Sequence, residues 1–342
     1  MSRTAPTIDS PRRRAAGVRG TGVAIGVGVL LLLLSIRVLA PAETGEALGD
    51  GVRDGITLAI SVVIESLPFV FLGIVLSIAV QLLLPADFLL RRLPRTPWVR
   101  RAALSLLGVL LPVCECGNMP LARGLMLRGL SVGESMTFLL AAPILNPVTI
   151  IVTYQAFGWE DGILAWRIVG GFLIANLVGW MLSRHPDPQR MLTPGFQAAC
   201  AHDHDHDGDP KPRRAVRMFV DEASAMLPAL FVGSAIAGAI QIAVSRDVLV
   251  SLGQDAIWSV FALMLLAFVI SICSNVDAFF ILAFGSTFLP GAIIAFLLFG
   301  PMIDIKMLAL MRTTFTARTL VQVSLVVALA AAAVGLGVNA LA

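Results

Sequence analysis

The chain has 342 residues, 57% of them hydrophobic and 14% charged, with a formal net charge of +3. A soluble domain carries about 25% charged residues, so the balance excludes an ordinary soluble enzyme and predicts a polytopic membrane protein. Four cysteines fit neither a disulfide framework nor the paired spacing of a structural zinc site, and nothing beyond the arginine-rich loops speaks for nucleic acid.

In chain order, Arg12, Arg13, Arg14 and Arg19 precede an apolar run over 23–34. The pattern looks like a signal peptide, but with so many later spans it reads as a retained first helix. After an acidic loop (Glu43, Glu46, Asp50, Asp54), a helix is predicted over 56–84, ending at Arg91, Arg92, Arg95, Arg100 and Arg101. Two apolar pieces, 102–111 and 121–130, then flank Cys114-Glu115-Cys116-Gly117-Asn118. Each piece is about half a bilayer long at ~1.5 Å per residue. Pro112 and Pro120 disfavour continuous helix across the motif. The reading is a re-entrant hairpin with its tip at 113–119; two short tilted spanning helices are the alternative.

Helices over 135–153 and 163–182 follow, separated by Glu160-Asp161. A polar linker over 184–216 holds His202-Asp203-His204-Asp205-His206-Asp207. The second half brings a helix over 218–244, a second tip near 273–277, a helix near 292–311 and a last one over 320–341. Lys and Arg favour the cytoplasmic side of short loops, which puts the N-terminus and the 184–216 linker inside the cell.

The two halves align. Pro68, Gly73 and Gln81 match Pro228, Gly233 and Gln241; Cys116 and Asn118 match Cys273 and Asn275; Gly133, Pro143 and Asn146 match Gly291, Pro301 and Asp304. Each copy starts on the opposite side of the membrane, an arrangement found in secondary transporters. The fold expected is therefore an all-α polytopic membrane protein. It has an N-terminal helix and two inverted-topology repeats of about five membrane segments, each with a broken or re-entrant hairpin. The expected boundaries are 1–54 for the arm, first helix and outer loop, 55–183 for repeat 1, 184–216 for the linker and 217–342 for repeat 2.

Polar groups in such apolar sequence are costly, roughly 3 kcal/mol for an ionised one, so they mark candidate function. Cys114 and Cys116 offer two soft sulfur ligands and Cys273 a third from the opposite tip, a set that selects thiophilic species. An isolated buried Cys is otherwise a small hydrophobe. Asn146-Pro147 and Pro301–Asp304 mark helix breaks of the kind that hold substrates or coupling ions; a structural kink is the bland alternative. Glu115, Asn118, Asn275, Asp277 and Asp304 complete the candidate substrate site. Glu65 and Glu115 are the candidate proton carriers, and Lys306 reads slightly better as a snorkelling residue than as their counter-ion. His202, His204 and His206 form a weak divalent-metal run that reads better as a solvated linker with incidental metal affinity. No Walker loop, dinucleotide motif or catalytic Ser/His/Asp set is present, so neither a cofactor nor an enzymatic reaction is expected. The partners expected are the lipid bilayer and a small-molecule or metalloid substrate.

With Leu111-Pro112-Val113-Cys114-Glu115-Cys116-Gly117-Asn118-Met119-Pro120 and Ala142-Pro143-Ile144-Leu145-Asn146-Pro147 in view, residues 55–340 resemble the ArsP/YraQ-type predicted permeases. Pro112, Cys114, Cys116, Pro120 and Leu121 match that family's Pro-x-Cys-x-Cys-x-x-x-Pro-Leu signature. The resemblance implies a permease, and for some members efflux of trivalent organoarsenicals through the vicinal cysteines. Glu115 departs from the small residue expected between them; a carboxylate there favours a cationic substrate or a proton. Two competing functions stay open: a transmembrane thiol–disulfide conduit and a divalent-metal transporter.

Overall fold

The computed structural model describes residues 50–83, 93–110, 114–159, 161–202, 210–243, 255–285 and 287–341. The expected first helix, His204, His206 and the loop arginines Arg91 and Arg92 lie outside the described residues, as does the side chain of His202.

The described residues are helical, without strands. Four helices are long and apolar enough to cross a bilayer: α1 (Asp50–Leu83), α7 (Ile163–Ser183), α9 (Lys211–Ala243) and α14 (Ala317–Leu341). Between them run shorter pieces. The first half has α2 (Pro97–Ser105), α3 (Leu107–Leu110), α4 (Glu115–Leu127), α5 (Val132–Ala141) and α6 (Pro147–Phe157). The linker contributes α8 (Pro194–His202). The second half has α10 (Trp258–Ile270), α11 (Asp277–Leu282), α12 (Pro290–Phe299) and α13 (Ile305–Met311). The long helices expose apolar side chains outward, among them Ile64, Leu72, Leu173 and Leu329, while Arg167, Glu115, Asp277, Asp304 and Lys306 are buried. A greasy exterior with the charged groups held in the interior suits a protein solvated by lipid.

The stretches 135–153 and 292–311 are each two helices, divided at the breaks expected around Asn146-Pro147 and Pro301–Asp304. A ten-residue helix spans only ~15 Å, half of the ~30 Å hydrocarbon core. The chain breaks between α5 and α6, where Asn146 accepts from the Val148 N–H at 2.9 Å and Pro147 takes the first helical position. It breaks again between α12 and α13, where Asp304 accepts from the Met307 N–H. Asn and Asp are strong N-caps, and proline is best tolerated in a first turn, where its missing N–H has no intrahelical partner anyway. At α5, Ser131 and Glu134 close a capping box, and Glu134 also meets Arg100 at 3.2 Å.

The sequence-based tip at 113–119 needs correcting. Cys114 is the N-cap of α4, and helix continues from Glu115 through Pro120. Proline at the sixth helical position removes a single bond, the one its N–H would make to the Cys116 carbonyl. Around it the helix is buried almost throughout, so packing outweighs one lost bond. In the second half the tip does leave helical geometry. Ser271 ends α10 with φ 53°, the one non-glycine residue with positive φ among the described residues, and residues 272–276 run on to α11 without helix.

Packing relies on close backbone approach. A Cβ on Gly73 of α1 would lie 2.2 Å from the Gly117 carbonyl oxygen of α4. A Cβ on Gly133 would come within 2.6 Å of the Gly179 carbonyl, and one on Gly291 within 2.1 Å of the Gly335 carbonyl. Small residues allow such crossings, which matter where no hydrophobic effect drives helices together. Helices α1 and α9 pack along each other, with Phe71 stacked on Phe219 at 5.8 Å.

The linker, expected to be polar loop, is folded in part. Met191, Leu192 and Phe196 are buried. Leu192 bridges antiparallel to Phe315, the Thr193 N–H donates to the Thr314 carbonyl at 2.8 Å, and the Thr316 N–H donates to the Met191 carbonyl at 2.9 Å. Phe196 lies under the Arg123 guanidinium, 4.6 Å from ring centroid to carbon.

Candidate functional site

The site forms where short helices from the two halves start against one another. Glu115 is the first helical residue of α4 and is 1% exposed. Both of its oxygens are engaged by the other half. The Lys306 Nζ donates to Oε1 at 3.2 Å, while Ser274 Oγ donates to Oε2 at 3.3 Å and Cys273 Sγ approaches the same oxygen at 3.8 Å. Placing the carboxylate at the start of a 13-residue helix lets the N-terminal peptide dipoles stabilise its charge. Lys306 lies in the first turn of α13, held there by the Asp304 cap.

The thiol of Cys114 interacts with those of Cys116 and Cys273. Ligand atoms from Cys114, Glu115 and Cys273, all buried, lie within 4.8 Å of one another. The three cysteines are free thiols. Asp304 Oδ2 is buried and has no hydrogen-bond partner among the described residues, and its charge interacts with those of Lys306 and Glu115.

A second buried pair adjoins the first. Arg167 of α7 grips Asp277 with both ends of its fork, Nη1 to Oδ1 at 2.9 Å and Nη2 to Oδ2 at 2.6 Å, and Nη1 also donates to Thr153 Oγ1 at 2.8 Å. The side chains are 1% and 3% exposed. Bidentate geometry is the strongest form of such a pair. Between the two pairs, Thr149 Oγ1 donates to Asn275 Oδ1 at 3.4 Å, tying α6 to the second-half tip. Farther along α4, Arg123 pairs with Glu222 of α9 at 2.6 Å and donates to Thr314 Oγ1 at 2.7 Å.

Of the residues singled out from sequence, Cys114, Glu115, Cys116, Cys273, Asp277 and Asp304 are thus buried around the helix starts, with Asn275 joining through Thr149. Asn118 is buried within α4, and Asn146 caps α6. Glu65 is exposed on α1, outside the buried cluster. Lys306, which read better as snorkelling, is 2% exposed and faces Glu115. Sequence reasoning passed over Arg167, Ser274, Thr149 and Thr153. For Arg167 the signal was available: a lone arginine inside an otherwise apolar span wants an interior partner.

Broken helices whose starts meet in a buried cluster of thiols and ion pairs, enclosed by spanning helices with lipid-facing exteriors, define a multi-pass membrane protein of permease type. The chain belongs to the predicted permease family ArsP_1, whose family model matches residues 53–340. It is 35% identical to the UPF0718 protein YcgR of Bacillus subtilis over 262 residues, 77% of this chain and 89% of that one. A Streptococcus mutans protein named provisionally as a two-component membrane permease complex subunit is 31% identical over 80% of this chain and 91% of its own. The UPF0718 protein YraQ of Escherichia coli is 33% identical over 117 residues, 33% of this chain and 32% of that one. No solved structure matches the chain at a significant level.

Proposed function

We propose that this permease is secondary-active and exports a thiol-reactive small molecule or metalloid, such as a trivalent organoarsenical, through the cysteine cluster. The observation carrying this reading is the convergence of Cys114, Glu115 and Cys273 within 4.8 Å, from chain segments 158 residues apart. Thiolates select soft species, and a site built jointly by two halves opens to either side when the halves rock. Cys114, Cys116 and Cys273 contact the substrate, and Asn118, Asn146, Asn275, Asp277 and Asp304 shape the site. Glu115 is the proton-coupling residue we favour, because Glu65 is exposed on the outer side of α1.

The architecture we propose is two inverted repeats, 55–183 and 217–342, with the N-terminus and the linker cytoplasmic. In its support, α1, α4, α5, α6 and α7 recur in order as α9, α11, α12, α13 and α14, and glycine crossings recur between α5 and α7 and between α12 and α14. The name of the Streptococcus relative speaks of a complex, and a second membrane subunit is a reading we extend to this chain. The test is uptake of methylarsenite into everted vesicles. Transport should be lost in Cys114→Ser and Cys273→Ser, and transport unchanged in both would overturn the thiol site.

The approach of the Cys114 and Cys273 sulfurs to within 4.8 Å favours one second reading, a thiol–disulfide conduit. It predicts a trapped Cys114–Cys273 disulfide under mild oxidation. Mass spectrometry finding free thiols alone, while a control pair oxidises, would remove it.

A further inference from the structure

The donor set at the helix starts is richer than thiol chemistry needs. A trivalent arsenical is held through sulfur and has no use for a carboxylate among its ligands. Here Glu115 puts an oxygen beside the sulfurs of Cys114 and Cys273, with all three donors within 4.8 Å. Two sulfurs and one carboxylate suit a tetrahedral, borderline-soft divalent ion that keeps one position open. With metal–sulfur bonds of about 2.3 Å, tetrahedral ligand atoms stand roughly 3.5–3.8 Å apart. A closure of about 1 Å would bring these three to that spacing.

The site also carries its own placeholder cation. Lys306 Nζ holds Glu115 Oε1 at 3.2 Å, and both side chains are almost wholly buried. Arg167 is committed to Asp277 by its bidentate fork, so Lys306 is the cation that faces Glu115. Asp304, two residues before it, keeps one buried carboxylate oxygen without a hydrogen-bond partner among the described residues. An ion taking Glu115 therefore leaves the ammonium a second carboxylate to turn to.

We propose that Cys114, Glu115 and Cys273 bind a soft divalent cation as cargo, and that Lys306 is the resident charge this ion displaces from Glu115 towards Asp304. The inference rests on the permease reading and shifts its cargo from a metalloid to a metal cation. Each thiol binds as thiolate and gives its proton to water as the ion enters. Glu115 is the specificity residue in this arrangement: it separates a cation, which needs the carboxylate, from an arsenical, which needs only sulfur.

The test uses the full chain purified in detergent, with Cd2+ as the probe and thiolate-to-cadmium charge-transfer absorption as the readout. Phenylarsine oxide binding is the parallel arm. The expected result is one Cd2+ per chain, with the band lost in Cys114→Ser and in Cys273→Ser. Glu115→Gln should weaken Cd2+ at least tenfold and the arsenical by a much smaller factor, and Lys306→Gln should tighten Cd2+. Where Glu115→Gln gives no monodisperse peak, Glu115→Asp is measured instead. It keeps the charge beside Lys306, shortens the reach and carries the same expectation. Equal Cd2+ affinity in wild type and the Glu115 variant overturns the proposal. Arsenical binding without Cd2+ binding overturns it too, while leaving the thiol-lined permease standing. Binding of neither probe removes both readings.

Discussion

Replacing Arg167 with Met would leave Asp277 charged, 3% exposed and without its bidentate partner. Breaking a buried pair from one side costs roughly 3–5 kcal/mol, because the remaining charge is uncompensated. At about 2–4 °C per kcal/mol for a domain of this order, that is roughly 6–20 °C in melting temperature. Asp277→Asn strands the guanidinium instead and should cost a similar amount, eased by the Thr153 hydroxyl that already accepts from Nη1. The double variant Arg167→Met/Asp277→Leu removes both charges and fills the space with apolar atoms, which is often neutral or stabilising. It should recover at least half of the loss. The assay is the folded peak on fluorescence-detected size exclusion after heating in detergent. An Arg167→Met protein melting within 2 °C of wild type would refute the reasoning, and so would a double variant losing the full sum of the single losses.

Gly73→Leu should abolish the folded peak, since its Cβ would meet the Gly117 carbonyl at 2.2 Å, whereas Gly195→Ala, with nothing within 4 Å, should melt like wild type. Phe196→Ala removes a buried ring beneath Arg123 at a cost of about 3–5 kcal/mol, so tryptic cleavage at the exposed Arg190 should quicken; unchanged cleavage would mean that the linker is held elsewhere. The backbone N–H groups of Trp258 and Ile257 hold the Asp255 carboxylate below its usual range. Their support for the start of α10 is thus full above the ordinary value of 3.8 and is lost as pH falls through the lowered one. At neutral pH, Asp255→Ala should speed amide exchange at Ile257 and Trp258, and equal rates would show that the cap does not anchor this end.

Much of the site was legible as chemistry out of place. Cys114, Glu115, Cys116 and Asp277 stand out in apolar sequence because burying them needs a reason, and the structure gives partners from the other half. The helix breaks at Asn146-Pro147 and at Asp304 were legible because caps and proline are local signals. The course of the chain at Pro120 was not. Whether proline ends a helix depends on what packing offers around it, and the contact of Gly117 with Gly73 is invisible in the local sequence. Lys306 was misread for a related reason. A lysine near a helix end snorkels by default, and only the opposite half, 191 residues away, brings the carboxylate that holds it inside. Arg167 shows the same limit, since its partner lies in a segment that shares no local pattern with α7.

That last separation bears on how the protein is made. Asp277 follows Arg167 by 110 residues, which at about 5–20 residues per second leaves the arginine waiting roughly 5–20 s for its carboxylate during synthesis. Through that interval α7 enters the membrane with a charge in its second turn, after four helical residues, where the cost stays below the roughly 3 kcal/mol of a helix-centre charge, carried by the apolar turns that follow it. The ion pair is therefore an appointment kept late. Until the second half emerges, the first is a half-insertion with an unclaimed arginine, and any substitution that shortens the apolar flank of α7 threatens biogenesis before it touches transport.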